Sequence, residues 1–235
     1  MPIVQRQAAP VRQQVLVGLR EEIFEGRHAP GERLRENDLC ASYGVSRTVI
    51  REVLRQLESE SLISVVPGRG PIVAVLTKRD IESLYEVRAT LEGLAASLFA
   101  TRASDGQAER LIAHLAEMED TYLRGTLASR EQSKSEFYTL LLEGADNDVL
   151  TAQLAGVHTR IGLFRRYAFL DDARVAQSFE ELCVIVRAAA VDRDAEAARA
   201  ASVHHIELAG RLAIIEYERR VSDDGSVVHL DAVAV

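Results

Sequence analysis

The sequence lacks any apolar run that approaches the roughly 20 residues of a membrane-spanning helix. Its first residues also lack the apolar stretch of a secretory signal peptide. Cysteine is scarce, since only Cys40 and Cys183 occur, far apart and inside helical patterns. Together these absences argue against a membrane protein and against a disulfide-stapled secreted protein, and we expect a reduced, cytoplasmic protein.

Catalytic motifs are missing as well. The chain has no Gly-rich phosphate loop, no nucleophile elbow and no HExxH zinc motif. The competing interpretation is a helical enzyme, such as a metal-dependent hydrolase with an N-terminal regulatory domain. It is not supported, because the sequence shows no set of residues typical of a catalytic site. We therefore expect a protein that is not an enzyme.

Charge is distributed unevenly along the 235 residues, a length that fits one large or two ordinary domains. The net charge is −8, which by itself argues against binding to nucleic acid. Residues 1–76, however, carry a net charge of +1, and the remaining residues carry −9. A near-neutral front part with a local basic face is compatible with DNA binding, and the acidic part should then face away from the duplex.

The basic face is predicted on a helix that starts at Arg47. At helical period, apolar side chains occupy one arc of roughly 140° and arginines occupy another of roughly 80°. The apolar arc contains Val49, Ile50, Val53, Leu54 and Leu57, and the basic arc contains Arg47, Arg51 and Arg55. Ser46 stands at the N-cap position. Such a helix suits the phosphates and base edges of a major groove, although a solvated amphipathic helix has the same pattern.

The flanking sequence favours the DNA-binding interpretation. Residues 10–26 have helical period, and a second short helix is predicted at 36–43, ended by Gly44 just before the arginine helix. Two short helices joined by a tight glycine-containing turn form a helix-turn-helix. Two β-rich runs follow at 62–66 and 72–76, and the Pro-Gly-Arg-Gly turn between them carries Arg69. The order of these elements predicts a winged helix-turn-helix with a small β-hairpin wing over residues 10–76.

Residues 77–221 contain only helical patterns. Thr77 and Asp80 form a potential capping box at the start of the first helix. This part should be an all-α bundle of about six helices, which makes the fold mainly α. The six patterns cover 81–98, 106–124, 129–144, 147–168, 173–191 and 194–220. Residues 1–9 are predicted to be flexible, and residues 222–235 form a tail for which the pattern leaves a mobile segment and a short strand open.

Residues 10–76 resemble the DNA-binding domain of the GntR family of bacterial transcription regulators. The resemblance rests on four segments in a fixed order, at 30–34, 45–48, 51–57 and 67–70. Val49 stands where the family usually has proline. The resemblance implies double-stranded operator DNA as the partner. The residues expected at the DNA are Arg35, Asn37, Ser46, Arg47, Thr48, Val49, Arg51, Arg55, Gly68, Arg69 and Gly70.

Residues 78–220 resemble the all-helical effector domain of the FadR type, also called the FCD domain. The resemblance rests on short segments around Arg88, Phe137, Asn147, Asp194 and His205. It implies a homodimer whose helical domain binds a small metabolite, often a carboxylate, and thereby shifts the spacing of two DNA-reading heads. Repression is the usual sign of regulation in the family.

The effector site departs from the pattern that the resemblance implies. Many FCD domains hold a metal through an aspartate and a histidine four residues apart, plus two histidines on the last two helices. Counting along this sequence places those positions at Lys134, Tyr138, Cys183 and His205, and only His205 matches. A charged lysine is a poor ligand, so we expect no metal and no other cofactor. Cys183 and His205 remain weak candidates for a soft metal.

The predicted pocket is lined by Arg88, Lys134, Tyr138, Cys183 and His205, and we expect a small anionic metabolite as its ligand. Lys134 would supply the positive charge that a metal otherwise supplies. Three of these residues also have simpler interpretations. Lys134 could be a solvated surface lysine, Arg88 could pair with Glu92 at i+4, and Cys183 could only pack in the core. If the pocket is degenerate, the protein is instead a constitutive DNA-binding regulator.

Overall fold

The computed structural model describes residues 8–162, 169 and 171–223, and the chain divides into two compact units, Met1–Leu76 and Thr77–Val235. The predictions for a flexible N-terminus (1–9) and for a tail (222–235) therefore fall mostly outside the described residues. Where they overlap the described residues, the first helix already begins at Ala8 and the last helix runs to Asp223. Alanine favours helix, and Pro10 is tolerated in a first turn.

The first unit contains three helices and a hairpin among its described residues. These are α1 (Ala8–Phe24), α2 (Glu36–Tyr43), α3 (Arg47–Ser59), β1 (Ile63–Val66) and β2 (Gly70–Val73). Helix α2 ends because Gly44 takes a left-handed conformation with φ of 64°. Helix α3 begins after Ser46, whose side chain accepts a hydrogen bond from the Val49 N–H, as the sequence predicts.

The hairpin is antiparallel, with Val66 opposite Gly70 and Ile63 opposite Val73. Its second strand begins and ends earlier than the predicted run at 72–76. The physical reason is the turn, in which Gly68 and Gly70 have φ of 75° and 83° and so let the chain reverse directly after Val66. One apolar core joins α1, α2, α3 and the hairpin.

The second unit contains six helices within the described part of the chain. These are α4 (Lys78–Arg102), α5 (Asp105–Met118), α6 (Leu127–Ala145), α7 (Asp148–Arg160), α8 (Asp172–Val186) and α9 (Ala195–Asp223). The capping box is confirmed, since Thr77 accepts from the Asp80 N–H and the Asp80 carboxylate accepts from the Thr77 N–H. Helices α5 and α8 each continue as one π-helical turn, at Glu119–Leu123 and Arg187–Val191. The predicted extension of α7 through 163–168 lies outside the described residues.

Helix α4 packs against α6, α7 and α9, and a large apolar core surrounds these contacts. This core contains a polar exception. Among the described residues, five arginine, lysine, glutamate or histidine side chains are almost completely buried: Arg88, Glu92, Lys134, Arg174 and His205. None of the described helices combines the length and the apolar character that crossing a membrane requires. The predicted mainly-α fold, with a small two-stranded wing, is confirmed.

Candidate functional sites

Helix α3 presents the two faces that its sequence predicts. Ile50, Val53, Leu54 and Leu57 are buried, whereas Arg47, Arg51 and Arg55 are exposed. Val49 is half-buried at the edge between the faces. Arg51 is held by α2, because its Nε donates to both carboxylate oxygens of Glu36, at 2.9 and 3.0 Å. An exposed row of guanidinium groups on a capped helix can contact phosphates and guanine edges.

The other predicted DNA contacts lie on the surface of the same unit. Ser46 and Thr48 are exposed at the start of α3. Arg35 and Asn37, at the start of α2, border a surface depression together with Gly70 of the wing. At the wing tip, Gly68 and Arg69 are exposed, and Arg69 Nη2 donates to the Gly31 carbonyl at 3.2 Å.

The second unit contains a partly open cavity of about 220 Å³. Among the predicted pocket residues, Arg88, Lys134 and His205 line it. Tyr138 takes part indirectly, since its hydroxyl accepts from Arg88 Nη2 at 3.0 Å. A cavity of this size suits a small metabolite rather than a drug-sized ligand.

Lys134 is the central cationic group of this cavity. Only 3% of the residue is exposed, so the alternative of a solvated lysine is wrong. Its Nζ lies 3.1 Å from Ser178 Oγ and 3.0 Å from His205 Nε2, and the rings of Tyr122 and Tyr138 lie 5.5 and 5.6 Å away. Burial, followed by the nearby Arg88 guanidinium, holds the pKa of Lys134 well below its usual value.

His205 connects Lys134 to the partly buried carboxylate of Glu181. Its Nδ1 contacts the Glu181 carboxylate, which also accepts from both terminal nitrogens of Arg174, at 2.8 and 2.9 Å. Although burial opposes it, bonding to His205 and Arg174 lowers the pKa of Glu181 to about 2, so this carboxylate is charged at neutral pH. Burial and then Lys134 lower the pKa of His205 to about 3. The neutral imidazole therefore donates from Nδ1 to Glu181, which leaves Nε2 as an acceptor toward Lys134.

Arg88 forms a buried ion pair and also lines the cavity. Its Nε donates to Glu92 Oε1 at 2.6 Å, and both side chains are at most 3% exposed. His158 Nε2 lies 2.7 Å from the same oxygen. The predicted i+4 pair is thus confirmed, and it coexists with the pocket position. Burial opposes ionisation of Glu92, but Arg88 and His158 keep its pKa below the ordinary value.

Comparison with known proteins identifies the family of this chain. Residues 11–73 match the bacterial regulatory proteins of the gntR family, and residues 83–208 match the FCD domain. The chain belongs to the GntR family. It is 32% identical over 164 residues to the HTH-type transcriptional regulator YdhC of Bacillus subtilis (strain 168), which covers 69% of this chain and 73% of that protein.

Two further relatives cover more of this GntR-family chain. The HTH-type transcriptional repressor RspR of Escherichia coli (strain K12) is 24% identical over 198 residues, which covers 84% of this chain and 86% of that protein. The solved structure of E. coli McbR/YncC superposes with a TM-score of 0.74 at 20% identity and covers 92% of this chain and all of that one. The similarity to the McbR/YncC structure shows a shared fold.

The FCD domain does not bring Cys183 into the cavity. Helix α8 contributes Arg174 and Ser178 instead, and Cys183 is partly exposed. Five residues beyond Ser178 correspond to a rotation of about 140° around the helix, so the two side chains occupy different faces. The metal-ligand position that the resemblance assigns to Cys183 therefore lies on a face of α8 different from the one that lines the cavity.

Sequence reasoning missed most polar residues of this site: Tyr85, Tyr122, Asp171, Arg174, Ser178 and Glu216 on the lining, and Glu181 beside it. Arg174, Ser178 and Glu181 recur at spacings of four and three, which places them on one face of α8 among apolar neighbours. That polar stripe is the signal that could have identified them. Tyr122 comes from the π-helical turn, and its hydroxyl donates to Ser178 Oγ at 2.9 Å. No comparable sequence signal identifies Tyr122.

The donors of the cavity do not fit a metal ion. Lys134 Nζ lies within hydrogen-bond distance of His205 Nε2, the nitrogen that would otherwise be available as a ligand. In the described ranges, no three histidine, cysteine, aspartate or glutamate side chains come together as a metal site. The amine of Lys134 thus takes the place beside His205 that a cation would need.

His205 should make stability depend on pH. An unfolded histidine titrates near 6.5, but in the folded protein the pKa of His205 is about 3. As the pH falls below 6.5, His205 takes up a proton in the unfolded chain but not in the folded protein. The free energy of unfolding therefore decreases as the pH falls from about 6.5 to about 3. The slope from this group is at most about 1.4 kcal/mol per pH unit. Urea unfolding at several pH values should show a shallower pH dependence for His205→Gln than for the native protein, and parallel curves would contradict this assignment.

Proposed function

We propose that this protein is a transcriptional repressor that binds operator DNA as a homodimer and that a small carboxylate in the FCD cavity changes its operator affinity. The observation that carries the effector part is a buried lysine, Lys134, whose hydrogen bonds among the described residues go to Ser178 and His205 and not to a carboxylate. Burial favours the neutral amine of Lys134, and an anion bound beside it would favour the ammonium form by compensating its charge.

Spare hydrogen-bond donors around the cavity support an anionic ligand. A guanidinium group carries five N–H donors. Within the described residues, the hydrogen bonds of Arg88 go to Glu92 and Tyr138, and those of Arg174 go to Glu181. Each guanidinium therefore retains donors that a carboxylate can accept from. Both arginines line the cavity, so their planar guanidinium groups can each donate hydrogen bonds to a bound carboxylate.

A homodimer follows from the size of one DNA-reading unit. A single winged helix buries too little surface for tight specific binding, so two units are expected on a pseudo-palindromic site. Sedimentation of the full-length protein should give about twice the chain mass. A clean monomer at micromolar concentration, still monomeric with operator present, would contradict the dimer. The relative RspR is a transcriptional repressor, which supports the proposed sign of regulation.

The purified protein should need no metal. We expect metal analysis to show sub-stoichiometric zinc, nickel and manganese, and operator binding to be the same with and without a chelator, because Lys134 stands beside His205 in place of a cation. Recovery of one tightly held transition metal per chain would overturn this expectation.

The ligand response should depend on Lys134. We expect a screen of small organic acids to raise the melting temperature of the native protein and to change its operator affinity. Lys134→Ala should abolish both responses while leaving operator affinity without ligand unchanged. If no small acid has either effect, the cavity is degenerate and the protein is a constitutive DNA-binding regulator. The observation that favours this second candidate is that Arg88 and Arg174 are already paired with Glu92 and Glu181, so the charges of both arginines are compensated without a ligand.

A further inference from the structure

Lysine is rare in this chain, and one of its two lysines is the buried residue of the cavity. The sequence contains Lys78 and Lys134 against 26 arginines. Lys78 is a surface residue paired with Glu218, whereas Lys134 is 3% exposed. If the cavity needed only a permanent positive charge, arginine would supply it. A lysine differs from arginine because burial can remove its proton and turn the amine into a nucleophile.

The surroundings of the Lys134 amine fit the neutral form. A neutral amine has two N–H donors and one lone pair. Its two hydrogen-bonding neighbours among the described residues are Ser178 Oγ and His205 Nε2, and the latter is an acceptor because Nδ1 donates to Glu181. These two neighbours match the two N–H donors, so the lone pair is left for a group in the cavity. Burial and two nearby arginines also hold the pKa of Lys134 down, which favours the same form.

We propose that Lys134 forms a reversible imine with the carbonyl group of a small 2-oxo acid and that this GntR-family protein thereby senses 2-oxo acids covalently. The inference rests on the proposed function, because it assigns a ligand class and a binding chemistry to the same effector cavity. The geometry that carries it is a buried primary amine beside an unprotonated imidazole nitrogen, in a cavity that two guanidinium groups also line.

The chemical step is a condensation that needs no oxidant or reductant. The Nζ lone pair attacks the carbonyl carbon, one N–H proton moves to the former carbonyl oxygen, and a carbinolamine results. The second N–H proton then moves to the same hydroxyl group, which leaves as water while the C=N bond forms. His205 Nε2, 3.0 Å from Nζ, is placed to take a proton from nitrogen and return it to oxygen. Hydrolysis reverses the reaction when the metabolite is depleted.

Although Asp171 and Glu216 also line the cavity, its two guanidinium groups favour a 2-oxo acid over a simple aldehyde or ketone. In a 2-oxo acid the electrophilic carbon is bonded directly to the carboxylate carbon. The remaining N–H donors of Arg88 and Arg174 can hold that carboxylate while the adjacent carbonyl faces the amine. The cavity of about 220 Å³ accepts a short chain. A 2-hydroxy acid of the same length has the same charge but no electrophilic carbon.

Reductive trapping tests the proposal on the native full-length protein. The protein is incubated with pyruvate, glyoxylate or 2-oxoglutarate and then reduced with sodium cyanoborohydride, and lactate serves as the matched acid without a carbonyl. With pyruvate, we expect a mass increase per chain equal to pyruvic acid less one oxygen atom. Peptide mapping should place it on Lys134, with little modification of Lys78. Lys78 is the internal control, since it is an exposed amine in the same molecule.

Two variants sharpen the test. Lys134→Arg carries a permanent positive charge and has no primary amine, so it should lose the adduct, whereas Lys78→Arg should retain it. Absence of an adduct with all three oxo acids, or equal labelling of Lys78 and Lys134 in the native protein, overturns the proposal. If lactate and pyruvate raise the melting temperature equally and neither is trapped, the imine is wrong but the carboxylate effector stands. If no acid binds, the imine and the effector part of the proposed function both fail.

Discussion

Replacing both Arg47 and Arg51 with alanine should nearly eliminate sequence-specific operator binding. Both arginines are exposed on α3, whose opposite face is anchored in the core, so the two changes remove DNA contacts without opening the fold. Losing a bidentate arginine–guanine contact costs about 1–3 kcal/mol. The double variant should therefore bind its operator at least roughly 30-fold more weakly, as measured by fluorescence anisotropy at one fixed salt concentration.

Matched variants separate base contacts from general charge effects. Arg110→Ala also removes an exposed arginine, but from α5 of the FCD domain, and operator affinity should not change. Arg69→Ala should weaken binding to all DNA sequences alike. It should also make the slope of log affinity against log salt concentration less steep by about one, as expected for the loss of one phosphate contact. Glu36→Gln frees Arg51 from its carboxylate partner, so it should not weaken operator binding. Unchanged affinity in both Arg47→Ala and Arg51→Ala would refute the assignment of α3 as the recognition helix.

Replacing Glu92 with alanine should cause the largest loss of stability among the variants considered. Arg88 and Glu92 are 3% and 1% exposed, and removing one partner of such a buried pair costs about 3–5 kcal/mol because the other charge stays buried without compensation. Glu92→Ala would leave the Arg88 guanidinium in a cavity that already contains Lys134 and Arg174. The loss should appear as a lower urea midpoint of the full-length protein at neutral pH.

An exposed ion pair provides the control for this prediction. Lys78 and Glu218 lie 2.7 Å apart, but their side chains are 48% and 54% exposed, so Lys78→Ala should cost no more than about 1 kcal/mol. A second variant tests the cause. Arg88→Met combined with Glu92→Leu removes both charges and should recover much of the stability lost in Glu92→Ala. If Glu92→Ala is as stable as the native protein, the buried Arg88–Glu92 pair does not contribute to stability as we expect.

Prediction from sequence succeeded where the determinants are local. The faces of α3 follow from the 3.6-residue period, its start follows from the Ser46 cap, and the start of α4 follows from the Thr77–Asp80 box. The prediction is less accurate for the second hairpin strand, because the predicted run at 72–76 omits Gly70 and Pro71. The turn, in which Gly68 and Gly70 have positive φ, places these two residues opposite Val66 and Val65. The π-helical turns after α5 and α8 were read as ordinary helix, since periodicity does not distinguish one such turn.

By itself, then, the sequence determined the mainly-α fold, the winged unit and its exposed arginines, because periods, caps and turns act over a few neighbouring residues. Only the tertiary structure decided the contents of the cavity. Lys134, Ser178 and His205 come from three different helices, and their contacts depend on how those helices pack rather than on any spacing along the chain. Burial is likewise a tertiary property, so it alone distinguishes Lys134 from a surface lysine and gives the amine its altered proton affinity.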